Sequence, residues 1–503
     1  MAGTVGESTK NHHLGEFRSR GDFSGLFCDD AGLCPGGVEG RHRYNNSERY
    51  KVCPSNIKFY TPASCDTIVA TGSSTRDGVM LFGKNSDREP NEAHQIVLVP
   101  AQHYPKGSIV KCTYIDIPRV EHTYALLLAK PFWIWGAEMG VNEKGVAIGN
   151  EAVFTKIAYE KKPGLIGMDF LRLALERAAT ASEAVALIIH LLEQYGQGGK
   201  CGFEHKLYYH NSFLIADPGD AWVLETAGKM WAAKQIFGVY SISNGITIEK
   251  EWDKASSDLV DYAIAKKWCK SAADFNFAKC YSDYLYTTFS DSRNRRARTM
   301  QMLSRQSGDI SVNTMMSILR DHGETAPYSP DRGLFGANVC MHAGFGPVRV
   351  SQTTGSLVCH LHPVHPTFFV TGTAAPCTSI FKPIWIDSTQ PATTLPNQGR
   401  YDGTSLFWRH ERLHRHILYN YSANIHEIDE ERDHLEREFI QHALDMAADT
   451  QEKRDKFSDA SFAKAASLED KWSKKISAQG IKRQKFLQKC AWRQFNKKAQ
   501  MPE

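Results

Sequence analysis

The segment Cys65-Asp66-Thr67-Ile68-Val69-Ala70 opens an apolar, strand-like run on a thiol. Residues further along the chain could make that thiol reactive. Asp77-Gly78 sits between two apolar runs, a sequence signal for a hairpin. The second run ends in Gly83-Lys84-Asn85-Ser86-Asp87-Arg88, and the end of a hairpin's second strand returns beside the start of its first. Lys84 and Asp87 are therefore expected near Cys65. A cation beside a thiol lowers its pKa, and a carboxylate can hold an ammonium group in place. If Cys65 were the first residue of a mature chain, its α-amine, with a pKa of about 7.7–8.0, would be a suitable base near neutral pH. Nucleophile and base would then share one residue. The competing reading is a buried strand cysteine, a common fate for this residue type.

More segments extend the pattern. In chain order they are "CTYIDIP", "WIWGAEMGVNEKGVAIGNEAV", "GMDFLRLALERAATASEA", "YHNSFLIAD", "AWVLETAGKMWAA", "SISN", "PCTSIFKP" and "WRHERLHR". Together with the hairpin they resemble the secernin family, relatives of the bacterial cysteine-type dipeptidases of the N-terminal-nucleophile (Ntn) hydrolase superfamily. The resemblance runs from Cys65 to about Arg415. It implies an α+β fold, the four-layer αββα sandwich, and hydrolysis of a dipeptide or small amide through an acyl-enzyme without cofactor or metal. Within it, Cys65 corresponds to the nucleophile and Asp87 to the residue that orients its amine. Lys84 stands where related bile-salt and penicillin amidases carry arginine. Asn244 in "SISN", and Asn150 across a short gap, correspond to oxyanion donors, although Asn244, following an apolar strand, reads equally as a cap; Asn85 and Asn142 are read as turn residues. The 64 residues before Cys65 are more than the family usually carries, so activity requires cleavage between Ser64 and Cys65. The alternative implied by the resemblance is a non-catalytic regulatory or binding protein linked to exocytosis.

Three regions are expected: a leader over 1–64, poor in periodicity; the hydrolase-like domain over 65–415; and a helical extension over 416–503 with a basic tail. Strands are expected at 95–100, 109–117 and 123–129, with a further hairpin around Pro218-Gly219. Leu171, Leu175 and Ala178 recur at helical spacing, and Ser182 is the expected cap of a helix running to Tyr195.

Other clusters carry weaker chemistry. Arg293, Arg295, Arg296 and Arg298 read either as a solvated helix start capped by Asp291 or Ser292, or as a site where one arginine grips a substrate carboxylate. "CHLHPVHP" offers Cys359, His360, His362 and His365, but its prolines impose a turn and the spacing fixes no fourth ligand. Cys28 and Cys34 form a lone close pair without a second. The net charge of +4 argues for no nucleic-acid partner. It hides ten Lys or Arg and no acid between Lys471 and Gln500. In that tail Leu487, Ala491 and Phe495 lie at helical spacing beside Trp492. This suits contact with an anionic membrane or acidic protein surface, or simply a solvated charged face. No apolar run reaches the roughly 18 residues of a membrane span, and no signal peptide is recognisable, so a cytoplasmic location is expected.

Overall fold

The structure is a computed structural model that describes residues 64–324, 328–330, 337–345, 349–391, 398–478 and 485–502. Apart from Ser64, the expected leader and the Cys28/Cys34 pair lie outside those residues. Cys53–Glu503 form one compact unit.

Two antiparallel sheets face each other. Their strands, in chain order, are β1 (Cys65–Ala70), β2 (Met80–Arg88), β3 (His94–Val99), β4 (Leu126–Pro131), β5 (Met139–Asn142), β6 (Ala147–Val153) and β7 (His210–Ala216). Then come β8 (Ala221–Ala227), β9 (Met230–Gln235), β10 (Val239–Ile242), β11 (Lys254–Ala255), β12 (Gln352–Leu361), β13 (Thr367–Val370) and β14 (Lys382–Ile384). The six-stranded sheet runs β10-β1-β2-β12-β13-β14, and the eight-stranded sheet runs β11-β9-β8-β7-β6-β5-β4-β3. The longer helices, numbered likewise, are α1 (Gly167–Arg177), α2 (Ala181–Tyr195), α3 (Ser292–Arg305), α4 (Val312–Leu319), α5 (Leu406–Leu418), α6 (Asp429–Asp445), α7 (Gln451–Ala478) and α8 (Phe486–Ala499).

The alternation of side chains along β1 and β2 builds the layers. Val69 and Phe82 point between the sheets, where they meet Met139, Val141, Leu214 and Val223. Ile68, Ala70 and Leu81 point the other way, onto Leu303 of α3 and Met315, Ile318 and Leu319 of α4. On the far side of the eight-stranded sheet, α1 and α2 bury Leu171, Leu175, Val185 and Ile188 against Leu128, Ile148 and Leu224. Helix, sheet, sheet, helix is the αββα arrangement the resemblance implies. A further helical cluster, α5 to α8, gathers Leu413, Ile417, Phe439, Trp472 and Trp492 around its own core.

Three local expectations are corrected. Thr180, not Ser182, caps α2: its side chain accepts from Glu183 N and satisfies a first-turn amide that has no partner within the helix, while Glu183 accepts from Ala179 N, just before the cap, at 2.7 Å. The segment 109–117 is not one strand, because Cys112 N turns back to Ile115 O at 3.0 Å and splits it into a small hairpin. Asn85 does not serve a turn. It lies within β2, fully buried, and donates to Leu319 O at 2.8 Å and Val339 O at 2.9 Å. Asn142 does serve one, accepting from Lys144 N and Val146 N at 3.0 Å each.

Candidate active site

The β1–β2 register fixes the neighbourhood of Cys65. Cys65 pairs with Ser86, Asp66 with Asn85, and Thr67 with Lys84. Directly paired residues share a face. Cys65, Thr67, Lys84 and Arg88 therefore look toward the eight-stranded sheet, while Asp66 and Asp87 look toward α3. Both ends of Cys65 are held. Its backbone N–H donates to Asn244 Oδ1 at 2.8 Å, and its Sγ accepts from Asp87 N–H at 3.4 Å. The Glu138 carboxylate lies 3.9 Å from Sγ. Arg88 spans Glu138 at 3.0 Å and Glu92 at 2.6 Å, and Thr67 donates to Glu151 at 2.8 Å.

From the helix side, a single guanidinium binds the same strand. Arg295 donates to Cys65 O at 2.8 Å, to Asp66 Oδ2 at 2.5 Å and to Asn244 Oδ1 at 2.6 Å. Ser243 Oγ also donates to Asp66. Asn244 spends its own amide on Ala152 O at 3.0 Å. Asp87 accepts from Thr353 Oγ1 at 2.6 Å, and its second carboxylate oxygen is buried without a hydrogen-bond partner.

This is a buried, crowded set of charges. Burial pushes the Cys65 thiol well above its usual pKa, against the pull of the Lys84 ammonium. Burial also raises Asp87 to about 7, helped by the nearby Asp66 carboxylate and opposed by Arg295. Glu151 is raised well above the ordinary carboxylate range, again by burial first. Lys84 is fully buried. Desolvation pulls its pKa down, but the surrounding thiol and carboxylates outweigh it and the net shift is upward. The ammonium is the counter-charge of the cluster.

The structure brings together Cys65, Lys84, Asp87 and Asn244. Asn150 lies further along: it donates to Asn211 Oδ1 at 3.2 Å and faces Met168 Sδ at 3.5 Å. Of the arginine cluster, Arg295 enters the site. Arg296 instead binds Ser241 O at 2.9 Å, Arg298 pairs with Asp321 and Glu324, and Arg293 lies over the Tyr284 ring. Asp291 occupies the cap position of α3 without a side-chain cap bond and accepts instead from Asn294. In "CHLHPVHP", Cys359 enters the inter-sheet core, His360 pairs with Asp77 at 2.8 Å, and His362 Nδ1 accepts from two backbone amides, so the four do not converge. Sequence reasoning misses Glu138, Glu151 and Arg88 as site residues. For Glu151 the signal is present, because a charge inside the largely apolar β6 has to find a partner; Glu138, just before β5, and Arg88, at the end of a polar run, carry no such signal.

Peptidase family C69 matches residues 64–433. The chain belongs to that family. A dipeptidase from Bifidobacterium longum is 28% identical over 198 residues, covering 34% of this chain and 35% of that protein. A probable dipeptidase B from Streptococcus pyogenes serotype M1 is 25% identical over 241 residues, covering 44% and 46%. The chain thus spans less than half the length of these relatives. Among solved structures, a conjugated bile acid hydrolase from Clostridium perfringens superposes at TM-score 0.40 and 15% identity, covering 65% of this chain and 95% of that one. A penicillin V acylase from Agrobacterium tumefaciens gives 0.36 and 13%, covering 64% and 86%.

Proposed function

We propose that this C69 member is a cysteine-type Ntn hydrolase that cleaves dipeptides or similar small amides once the Ser64–Cys65 bond is opened. The observation that carries the reading is the double hold on Cys65, at its nitrogen by Asn244 and at its sulfur by Asp87 N–H. Opening the bond turns that nitrogen into an amine. Asn244 Oδ1 already accepts from it, and the free oxygen of Asp87 offers a second acceptor for the ammonium form. The amine takes the thiol proton, and the thiolate adds to the scissile carbonyl. Collapse forms a thioester, and the ammonium returns its proton to the departing amine. Water, deprotonated by the same amine, then hydrolyses the thioester and restores the thiol. Asn244 is read as the residue that positions the amine, since its Nδ2 is engaged by Ala152 O, rather than as the expected oxyanion donor.

The same reading bears on processing. Ser64 is 1% and Cys65 4% exposed, whereas proteases cut extended, exposed segments. Attack of Cys65 Sγ on the Ser64 carbonyl, with transfer of the acyl group from nitrogen to sulfur and hydrolysis of the thioester, frees the amine from within. Purified protein should therefore yield a chain beginning Cys-Asp-Thr and turn over a dipeptide panel. Cys65→Ala should keep the bond intact and lose turnover. An uncut wild-type chain without turnover would reject this reading in favour of a non-catalytic binding protein, which a buried, protonated thiol also suits.

A further inference from the structure

Away from Cys65, four side chains with soft or imidazole donors converge in the layer between the six-stranded sheet and the C-terminal helices. His322 lies just after α4, Cys340 and His342 precede β12, and Cys377 lies between β13 and β14. One donor atom from each lies within 4.8 Å of all the others. His322 Nε2 is 3.1 Å from His342 Nε2, Cys377 Sγ is 3.3 Å from it, and Cys340 Sγ is 3.7 Å from it. Zinc bonds of about 2.0–2.1 Å to nitrogen and 2.3 Å to sulfur give tetrahedron edges of roughly 3.3 Å (N–N) and 3.6 Å (N–S). The observed separations lie within a few tenths of an ångström of those edges.

The tautomers point the same way. The Glu411 carboxylate lies 3.2 Å from His414 Nδ1, so that nitrogen carries the proton. His414 Nε2 then accepts from His342 Nδ1, 3.1 Å away. With both rings neutral, His342 Nε2 is left as a bare lone pair aimed into the cluster. Two thiols and a second imidazole crowd around that lone pair, and it can accept only one proton. A cation satisfies all four donors at once. A ligating histidine whose other nitrogen is fixed by a carboxylate relay is the usual support of such a centre. Glu411 is itself anchored by Arg415 at 2.7 Å and Gln352 at 3.0 Å. Cys340, His342 and Cys377 are buried and His322 half-buried.

We propose that His322, Cys340, His342 and Cys377 bind a zinc ion in a closed Cys2His2 structural site, the two thiols giving up their protons to solvent on binding. Four protein ligands leave no open position, which distinguishes a structural from a catalytic centre. The site ties the β12 and β13–β14 loops to α4, and through His414 to α5. It also reaches the thiol site. Met341, between two ligands, donates its N–H to Thr353 Oγ1 at 3.0 Å, and that hydroxyl donates to Asp87.

Metal analysis of full-length protein purified from zinc-supplemented cells without chelator should find about one zinc per chain, and X-ray absorption on that protein should show two sulfur and two nitrogen neighbours. Cobalt in place of zinc should give thiolate charge-transfer absorption and tetrahedral visible bands. Removing zinc should lower Tm and adding it back should restore it. Cys340→Ser/Cys377→Ser should lose the zinc, while Cys359→Ser should retain it. Because the wild-type spectra stand even if the double variant fails to fold, three results would each overturn the site: substoichiometric zinc, a first shell of another composition, or a Cys340–Cys377 disulfide by mass spectrometry. None of these readouts depends on hydrolase activity, so the site and the proposed function fail independently.

Discussion

At the scale of single residues, Arg295 decides more than its charge suggests. One planar guanidinium reaches the Cys65 carbonyl, Asp66 and Asn244 together, and an ammonium has no fork with which to do so. Arg295→Lys keeps the countercharge for Asp66 but releases Asn244. The expected outcome is a kcat lower by about 10²-fold with KM little changed, the signature of a displaced nucleophile rather than of lost substrate binding. An equal rise in KM would assign Arg295 to substrate contact instead. Asp87 makes a separate prediction through pH. Its carboxyl titrates near pH 7 in the fold and near 3.9 in an unfolded chain, so the fold prefers the neutral form. That preference is complete below pH 4 and is lost as pH rises through 7, leaving a buried carboxylate above it. In a Cys65→Ala background, where the bond stays closed, Asp87→Asn should raise Tm by a few degrees at pH 8 and hardly at all at pH 5. Equal effects at both pH values would remove Asp87 as the titrating group. The sequence led to Cys65, Lys84 and Asp87 because hairpin geometry is local. It could not choose Arg295 among four arginines, since that depends on which face of α3 meets β1, a tertiary fact.

At the scale of secondary-structure elements, β6 crosses the β1–β2 hairpin at close range. A Cβ on Gly149 would lie 2.5 Å from Lys84 Cδ, 3.1 Å from Thr67 Cγ2 and 3.2 Å from Phe82 Cζ. The absence of a side chain there lets the two sheets approach closely enough to enclose the Lys84 ammonium. Gly149→Ala must push the lysine or part the sheets, at a cost of about 1–3 kcal/mol. Its expected mark is a loss of activity out of proportion to the fall in Tm, when compared with an equally destabilising change in α2 such as Thr180→Ala. Proportional losses would show that Lys84 tolerates the shift. Hairpins and amphipathic helices of this fold were legible because their periods and turns are written in neighbouring residues, as at Asp77-Gly78 and Pro218-Gly219. The cluster of His322, Cys340, His342 and Cys377 was not, because its donors come from three loops whose spacing in the chain follows no ligand pattern.

For the molecule as a whole, the basic C-terminal segment has two faces with different tasks. Ala491, Trp492 and Phe495 are buried in the C-terminal cluster, with the Arg415 guanidinium 5.2 Å from the Trp492 ring centre, whereas Leu487 is 40% exposed. Trp492→Ala should therefore cost about 3–5 kcal/mol and lower Tm, while Leu487→Ala should change stability by no more than about 0.5 kcal/mol. The apolar face is thus occupied by the chain's own core. Lys489, Arg493 and Lys497 remain exposed one turn apart along α8, so any contact with an anionic membrane falls to charge alone. Deleting residues 471–503 would take Trp472 and Trp492 with it and confuse unfolding with lost binding, so charge reversal is the cleaner test. Wild-type protein should bind vesicles rich in anionic lipid at low ionic strength and release them as salt screens the contact. Lys489→Glu/Arg493→Glu/Lys497→Glu should abolish that binding and leave Tm nearly unchanged. Wild-type protein that ignores such vesicles at low salt would reduce the stripe to an ordinary solvated face.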